Sequence, residues 1–306
     1  MKLNVKSSKI TLKGIGIFSF IAAAAFLALR FYQLTRLTDP ATGFFTDHTN
    51  FTVIIFYALS ILFPLGVVIL CYLSGDINGD KAPSRRSAVH GVFSLLFGAS
   101  LLLEGVADIK EMAGIVARSG GFKPAVEEMD GYITPVLYVM ELLTGIVLTL
   151  HAIGFISGKM FITKLKICAL FPVLWAFFLT VSYFTITASY LKVTQLMLTI
   201  FADAFLMVFL FEYARFISGI NFKGSAWVFY AAGIAAAALL LISSVPDLVF
   251  YIFEPRRLVV YCPFALYNLL GGLFVISAMA YTSRCEQPIQ VEGFTGGADE
   301  EPEESL

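Results

Sequence analysis

Eight stretches of this sequence are each about 20 residues of nearly unbroken apolar side chains, the length a helix needs to cross the hydrocarbon core of a bilayer. They lie at Ile15–Tyr32, Phe51–Leu73, Val89–Asp108, Ile133–Ile156, Ile167–Thr187, Val193–Ile217, Ala226–Val245 and Pro263–Tyr281. Composition points the same way: 58% of the 306 residues are hydrophobic and only 14% are charged. A soluble domain is nearer half apolar and a quarter charged. The expectation is an all-α integral membrane protein, with about eight transmembrane helices in a single bundle over residues 1–285. No internal repeat divides the spans into two matched halves.

The opening MKLNVKSSKITLKGIGIFSFIAAAAFLALR imitates a secretory signal, with lysines before an apolar core. A signal ends in small residues around a cleavage point, whereas this run continues into Arg30, Phe31 and Tyr32. It reads as an uncleaved first span. Lys and Arg then set the orientation. The side that carries Lys2, Lys6, Lys9 and Lys13 also holds Lys81, Arg85, Arg86, Lys159, Lys164, Lys166, Arg215, Lys223 and Arg284. The other side has Arg30, Arg36, Lys110, Arg118, Lys123, Lys192, Arg256 and Arg257. The bias predicts a multi-pass plasma-membrane protein with both termini cytoplasmic.

After the last span, residues 286–306 are acidic and poor in large apolar groups, and so read as a disordered cytosolic tail. The segment PDLVFYIFEPRRLVVYC, Pro246 to Cys262, is apolar but interrupted by Pro246, Glu254, Pro255 and an Arg pair; it reads as a re-entrant or interfacial hairpin. IKEMAGIVARSGG extends the third helix to a stop at Gly120–Gly121, and Pro124 starts a short helix after it. In the first outer loop, DPATGFFTDHTNF, Asp39–Pro40 ends the first helix and Phe44–Phe45 suit an interfacial aromatic belt. Thr46, Asp47 or Thr49 supplies the cap of the second span.

Catalytic and metal motifs fail on their own terms. GDINGDK begins like a calcium loop, but its sixth and twelfth positions are Lys81 and Ser87 where Gly and a bidentate acid are required. There is no zinc-protease, nucleophile-elbow or Walker pattern, and Cys71, Cys168, Cys262 and Cys285 follow no ligand spacing. A net charge of −1 gives no footprint for nucleic acid. No cofactor or metal is expected, and the lipid bilayer is the one implied partner that composition itself requires.

Polar residues inside the spans carry the functional signal, because charge in hydrocarbon faces a partner or a wet cavity. Gln195, Thr199 and Asp203 recur every four residues on the sixth span. Thr134, Tyr138, Glu141 and Thr144 or Gly145 form a similar stripe on the fourth, and Ser100, Glu104 and Asp108 another on the third. Arg30 adds a cation on the first. All four lie toward the extracytoplasmic side. They predict an outward-opening acidic cavity ending near Asp203, in a transporter of a small solute or one coupled to protons or cations. In the structural alternative, Arg30 pairs with Glu104 or Glu141 to fix helix register. His151 reads as a hydrogen-bonded packing residue, and His90 and Glu212 as interfacial. A different class, a scaffold, sensor or assembly partner acting through the outer loops or a protein bound to the acidic tail, is the competing reading.

Overall fold

The computed structural model describes residues 11–39, 45–47, 50–74, 77, 86–129, 131–158, 166–185, 193–220, 225–253 and 266–285. Among them are nine helices and no strand. They are α1 (Leu12–Arg36), α2 (Phe51–Leu73), α3 (Ala88–Ser119), α4 (Phe122–Glu128), α5 (Ile133–Ser157), α6 (Phe171–Thr185), α7 (Val193–Ile217), α8 (Ala226–Phe253) and α9 (Leu266–Arg284). A 3-10 turn, Lys166–Leu170, leads into α6. Every helix but the short α4 lies in one of eight segments long and apolar enough to cross a membrane.

Local chemistry sets the boundaries. Thr11 caps α1 by accepting from the Gly14 N–H, and Ser87 caps α3 by accepting from His90 N–H. A side-chain cap of this kind contributes about 1 kcal/mol. Gly120 and Gly158 end α3 and α5 at φ of 74° and 75°, a left-handed turn that costs a residue with a Cβ.

Six helices close into a ring. α3 packs on α5, α5 on α6, α6 on α7, α7 on α8, α8 on α9, and α9 returns to α3. The α1–α2 hairpin lies outside the ring and leans on α8. α8 is therefore covered on several sides: 78% of its membrane-length window is buried, against 17% for α1. Its AAGIAAAALLL run suits that place, since helices in lipid associate through close packing rather than a hydrophobic drive. One end of the bundle gathers the starts of α3 and α8 with the ends of α2, α5, α7 and α9. It is called the terminal end here; the other is the α4 end.

The tightest seam joins α3 and α5. Gly91, Gly98 and Gly105, seven residues apart, place α3 against α5; a Cβ on Gly98 would stand 3.0 Å from the Gly145 carbonyl oxygen and 3.0 Å from the Thr149 nitrogen. Gly145 faces back: a Cβ there would meet Leu102 at 2.7 Å. Glycine at these positions is what lets the two backbones meet.

Three expectations need correction. Residues 246–253 are no hairpin: α8 runs straight through Pro246 to Phe253. Proline removes one intrahelical bond, a loss that a buried helix tolerates among packed neighbours; residues 254–262 lie outside the described residues. The cap of α2 is Asn50, whose Oδ1 accepts from Thr52 N–H at 3.0 Å and Thr52 Oγ1 at 2.6 Å. Phe45 is buried, edge-on to Tyr57 at 6.4 Å, and not in a lipid-facing belt. The GDINGDK loop apart from Ile77, residues 40–44, His48, Thr49 and the acidic tail are also outside the described residues.

Candidate functional site

Four ring helices each carry polar groups at two levels. At 1.5 Å per residue from the terminal end, Glu104 (α3) and Glu141 (α5) stand at about 24 Å, Asp203 (α7) at about 21 Å and Tyr267 (α9) at about 26 Å. The same helices place His90, His151, Tyr213 and Ser277 at only about 3–11 Å from that end. The result is an upper, acidic tier and a lower, imidazole–hydroxyl tier.

In the upper tier exposure differs from acid to acid. Glu104 and Asp108 are half-buried, Glu141 is 4% exposed and Asp203 is 0% exposed. The carboxyl groups of Asp108 and Glu141 face one another across the α3–α5 seam within hydrogen-bonding reach. Tyr138 lies in the field of Asp108, Glu111 and Glu141. Tyr267 is hydrogen-bonded to Tyr183 of α6 and lies within electrostatic reach of both Glu104 and Asp203.

Asp203 is the exceptional member. Both of its carboxyl oxygens are buried without a hydrogen-bond partner. An unpartnered buried polar group costs roughly 1–3 kcal/mol, and a charged one more. Thr144 Oγ1, at about 20 Å from the terminal end, is similarly without a partner. Thr199, one turn from Asp203, is buried at 9% exposure. The side chain of Gln195 lies outside the described residues.

The lower tier is different in kind. His90 Nε2 bonds the Tyr213 hydroxyl at 2.5 Å, and its Nδ1 bonds Ser277 Oγ at 3.0 Å. The Tyr213 hydroxyl also reaches His151 Nε2 at 3.4 Å. Tyr281 stacks on His90 with centroids 5.4 Å apart, and Phe155 stacks on His151 at 4.9 Å. His90 is thus no interfacial residue but 1% exposed, on the first turn of α3. Glu212 is likewise buried rather than interfacial, held by Arg215 Nη1 at 3.0 and 3.1 Å and by Ser225 Oγ at 2.5 Å. Between the tiers Phe97, Trp175 and Phe274 form a dry plug, with Phe97 5.9 Å from Trp175 and 5.4 Å from Phe274 by ring centroids.

Arg30 does not join the acids. α1 lies outside the ring, and Arg30 is buried with its guanidinium carbon 5.1 Å from the centre of the Phe56 ring. Asp247 of α8, with Tyr57, supplies the opposing electrostatics. Asp247 is invisible to a reading that ends the seventh span at Val245; its signal is the apolar continuation Leu248–Phe253 beyond it. Tyr183, Tyr267 and Tyr213 also escape the search for charge, since a tyrosine in an apolar run is ordinary packing until its hydroxyl is located.

Among the described residues, no group of three or more His, Cys, Asp or Glu is placed to hold a metal ion. Fold and site together define a polytopic helical bundle of the membrane-protein kind with an acidic interior tier. No protein-family model, curated protein or solved structure matches the chain.

Proposed function

We propose that the protein is a membrane transporter that couples passage of a small solute to a proton, with Asp203 as the coupling carboxyl. The observation that carries this reading is Asp203 itself: fully buried, in the ring interior, with neither oxygen hydrogen-bonded. A carboxylate in that position is costly until a proton or cation neutralises it. The proton fits better than a metal cation, because among the described residues the neighbouring acids are not gathered as a coordination set. Glu104, Asp108 and the more buried Glu141 form the approach from the α4 end, with Tyr267 within electrostatic reach of both Glu104 and Asp203.

The test is proton movement in proteoliposomes under an imposed pH gradient, followed with an internal pH dye and a panel of small solutes. Asp203→Asn is expected to reduce flux to that of protein-free vesicles, and Glu141→Gln to reduce it strongly, both with unchanged elution on size exclusion. A folded Asp203→Asn protein with wild-type flux contradicts the proposal.

A further inference from the structure

At the terminal end, a cavity of about 390 Å³ opens between the start of α3 and the last turns of α9. Arg86 and Arg284 stand at its edge, both exposed, and Ser87, His90 and Ser277 line it with them. No carboxylate lines it among the described residues. Neither guanidinium has an ion pair or hydrogen bond among the described residues, where the Arg215–Glu212 pair shows what a satisfied arginine looks like. The side chain of Arg86 runs past Gly158 at the end of α5, where a Cβ would stand 4.0 Å from its Cβ and Cδ. Ser87 takes up the His90 N–H, which leaves the N–H groups of Ala88 and Val89 as the open donors of the helix start.

We infer that this cavity is a binding site for a phosphate group. The two exposed guanidinium groups and the open N–H donors at the start of α3 supply the charge and the hydrogen-bond donors that a phosphate mono- or diester takes up, above a floor where His90 and Ser277 satisfy one another. The volume falls within the range of sites for small ligands, larger than one phosphate alone needs. The ligand is therefore a phosphate attached to something, either the headgroup of an anionic phospholipid in the adjoining leaflet or a soluble phosphorylated molecule. Basic pockets between membrane helices near the bilayer surface take lipid headgroups in this way. The site is separate from Asp203 and stands or falls without it.

The experiment uses the full chain in two arms. In nanodiscs of phosphatidylcholine doped with phosphatidic acid, the lipid retained through purification is counted by mass spectrometry. In neutral detergent, inorganic phosphate is titrated and its affinity read from phosphorus relaxation. Arg86→Gln and Arg284→Gln are each expected to weaken binding about tenfold, the double variant more, with melting unchanged because both side chains are exposed. Retention of phosphatidic acid, lost in the double variant, supports the site and identifies a lipid source. Binding of free phosphate, lost in the same variant, supports it and identifies a soluble one. Binding in neither arm, or binding that the double variant retains in full, overturns the proposal.

Discussion

The two tiers are built by the same four helices, yet the central group of each meets a different environment. In the lower tier His90, His151, Tyr213 and Ser277 partner one another: two imidazoles share one tyrosine hydroxyl, and Ser277 completes His90. In the upper tier Asp203 is equally buried and has no hydrogen bond. Satisfied polar groups rigidify a bundle and specify its register, while an unsatisfied one is a standing cost that stability alone does not explain. On the proposed reading the lower tier is architecture and the upper tier serves transport, with the rings of Phe97, Trp175 and Phe274 packed between them.

The harshest way to break the comparison is to disturb both tiers at once through the seam they share. Gly98→Val places a branched side chain against the α5 backbone, where even a Cβ meets atoms at 2.9–3.0 Å. It is expected to cost about 3 kcal/mol, read as a large drop in melting temperature and loss of flux together. A well-folded Gly98→Val protein refutes the close seam.

A smaller and more selective change is Tyr213→Phe, which removes the hydroxyl between His90 and His151. Leaving buried imidazole nitrogens unpartnered costs roughly 1–3 kcal/mol. Chemical denaturation in mixed micelles is expected to register that loss while proton flux in the surviving folded fraction stays at the wild-type level. Loss of flux with unchanged stability reverses the assignment and moves the function to the lower tier.

The smallest effect belongs to Thr144→Val, which removes an orphaned hydroxyl at nearly constant shape. Stability is expected to hold within about 0.5 kcal/mol, since no made hydrogen bond is lost. A cost above about 1 kcal/mol, measured the same way, reveals a bound partner for Thr144.

Much of the frame is legible from apolar length alone. Span ends at Phe51, Leu73, Val193 and Ile217 coincide with the helices, and the extension of the third helix to Gly120 follows from its sequence. Four-residue spacing brings Glu104, Asp108, Glu141 and Asp203 forward as candidates, because charge in an apolar run is conspicuous. Which helix meets which is not legible: nothing within α1 says that it stands outside a ring, so Arg30 is assigned acids it never meets. Pro246 is overweighted as a breaker because its burial belongs to tertiary structure. The glycines at 91, 98 and 105 are visible at a spacing of seven, but only Gly145 and Ala152 on the facing helix give that spacing its meaning.

Infrared spectroscopy of the reconstituted protein bears most directly on Asp203 as the proton-binding group. A protonated carboxyl in a dry interior without hydrogen bonds has a carbonyl stretch well separated from those of ionised and solvated acids. The account predicts such a band at neutral pH, absent in Asp203→Asn and present in Tyr213→Phe. Identical carbonyl spectra for the wild-type protein and Asp203→Asn contradict it.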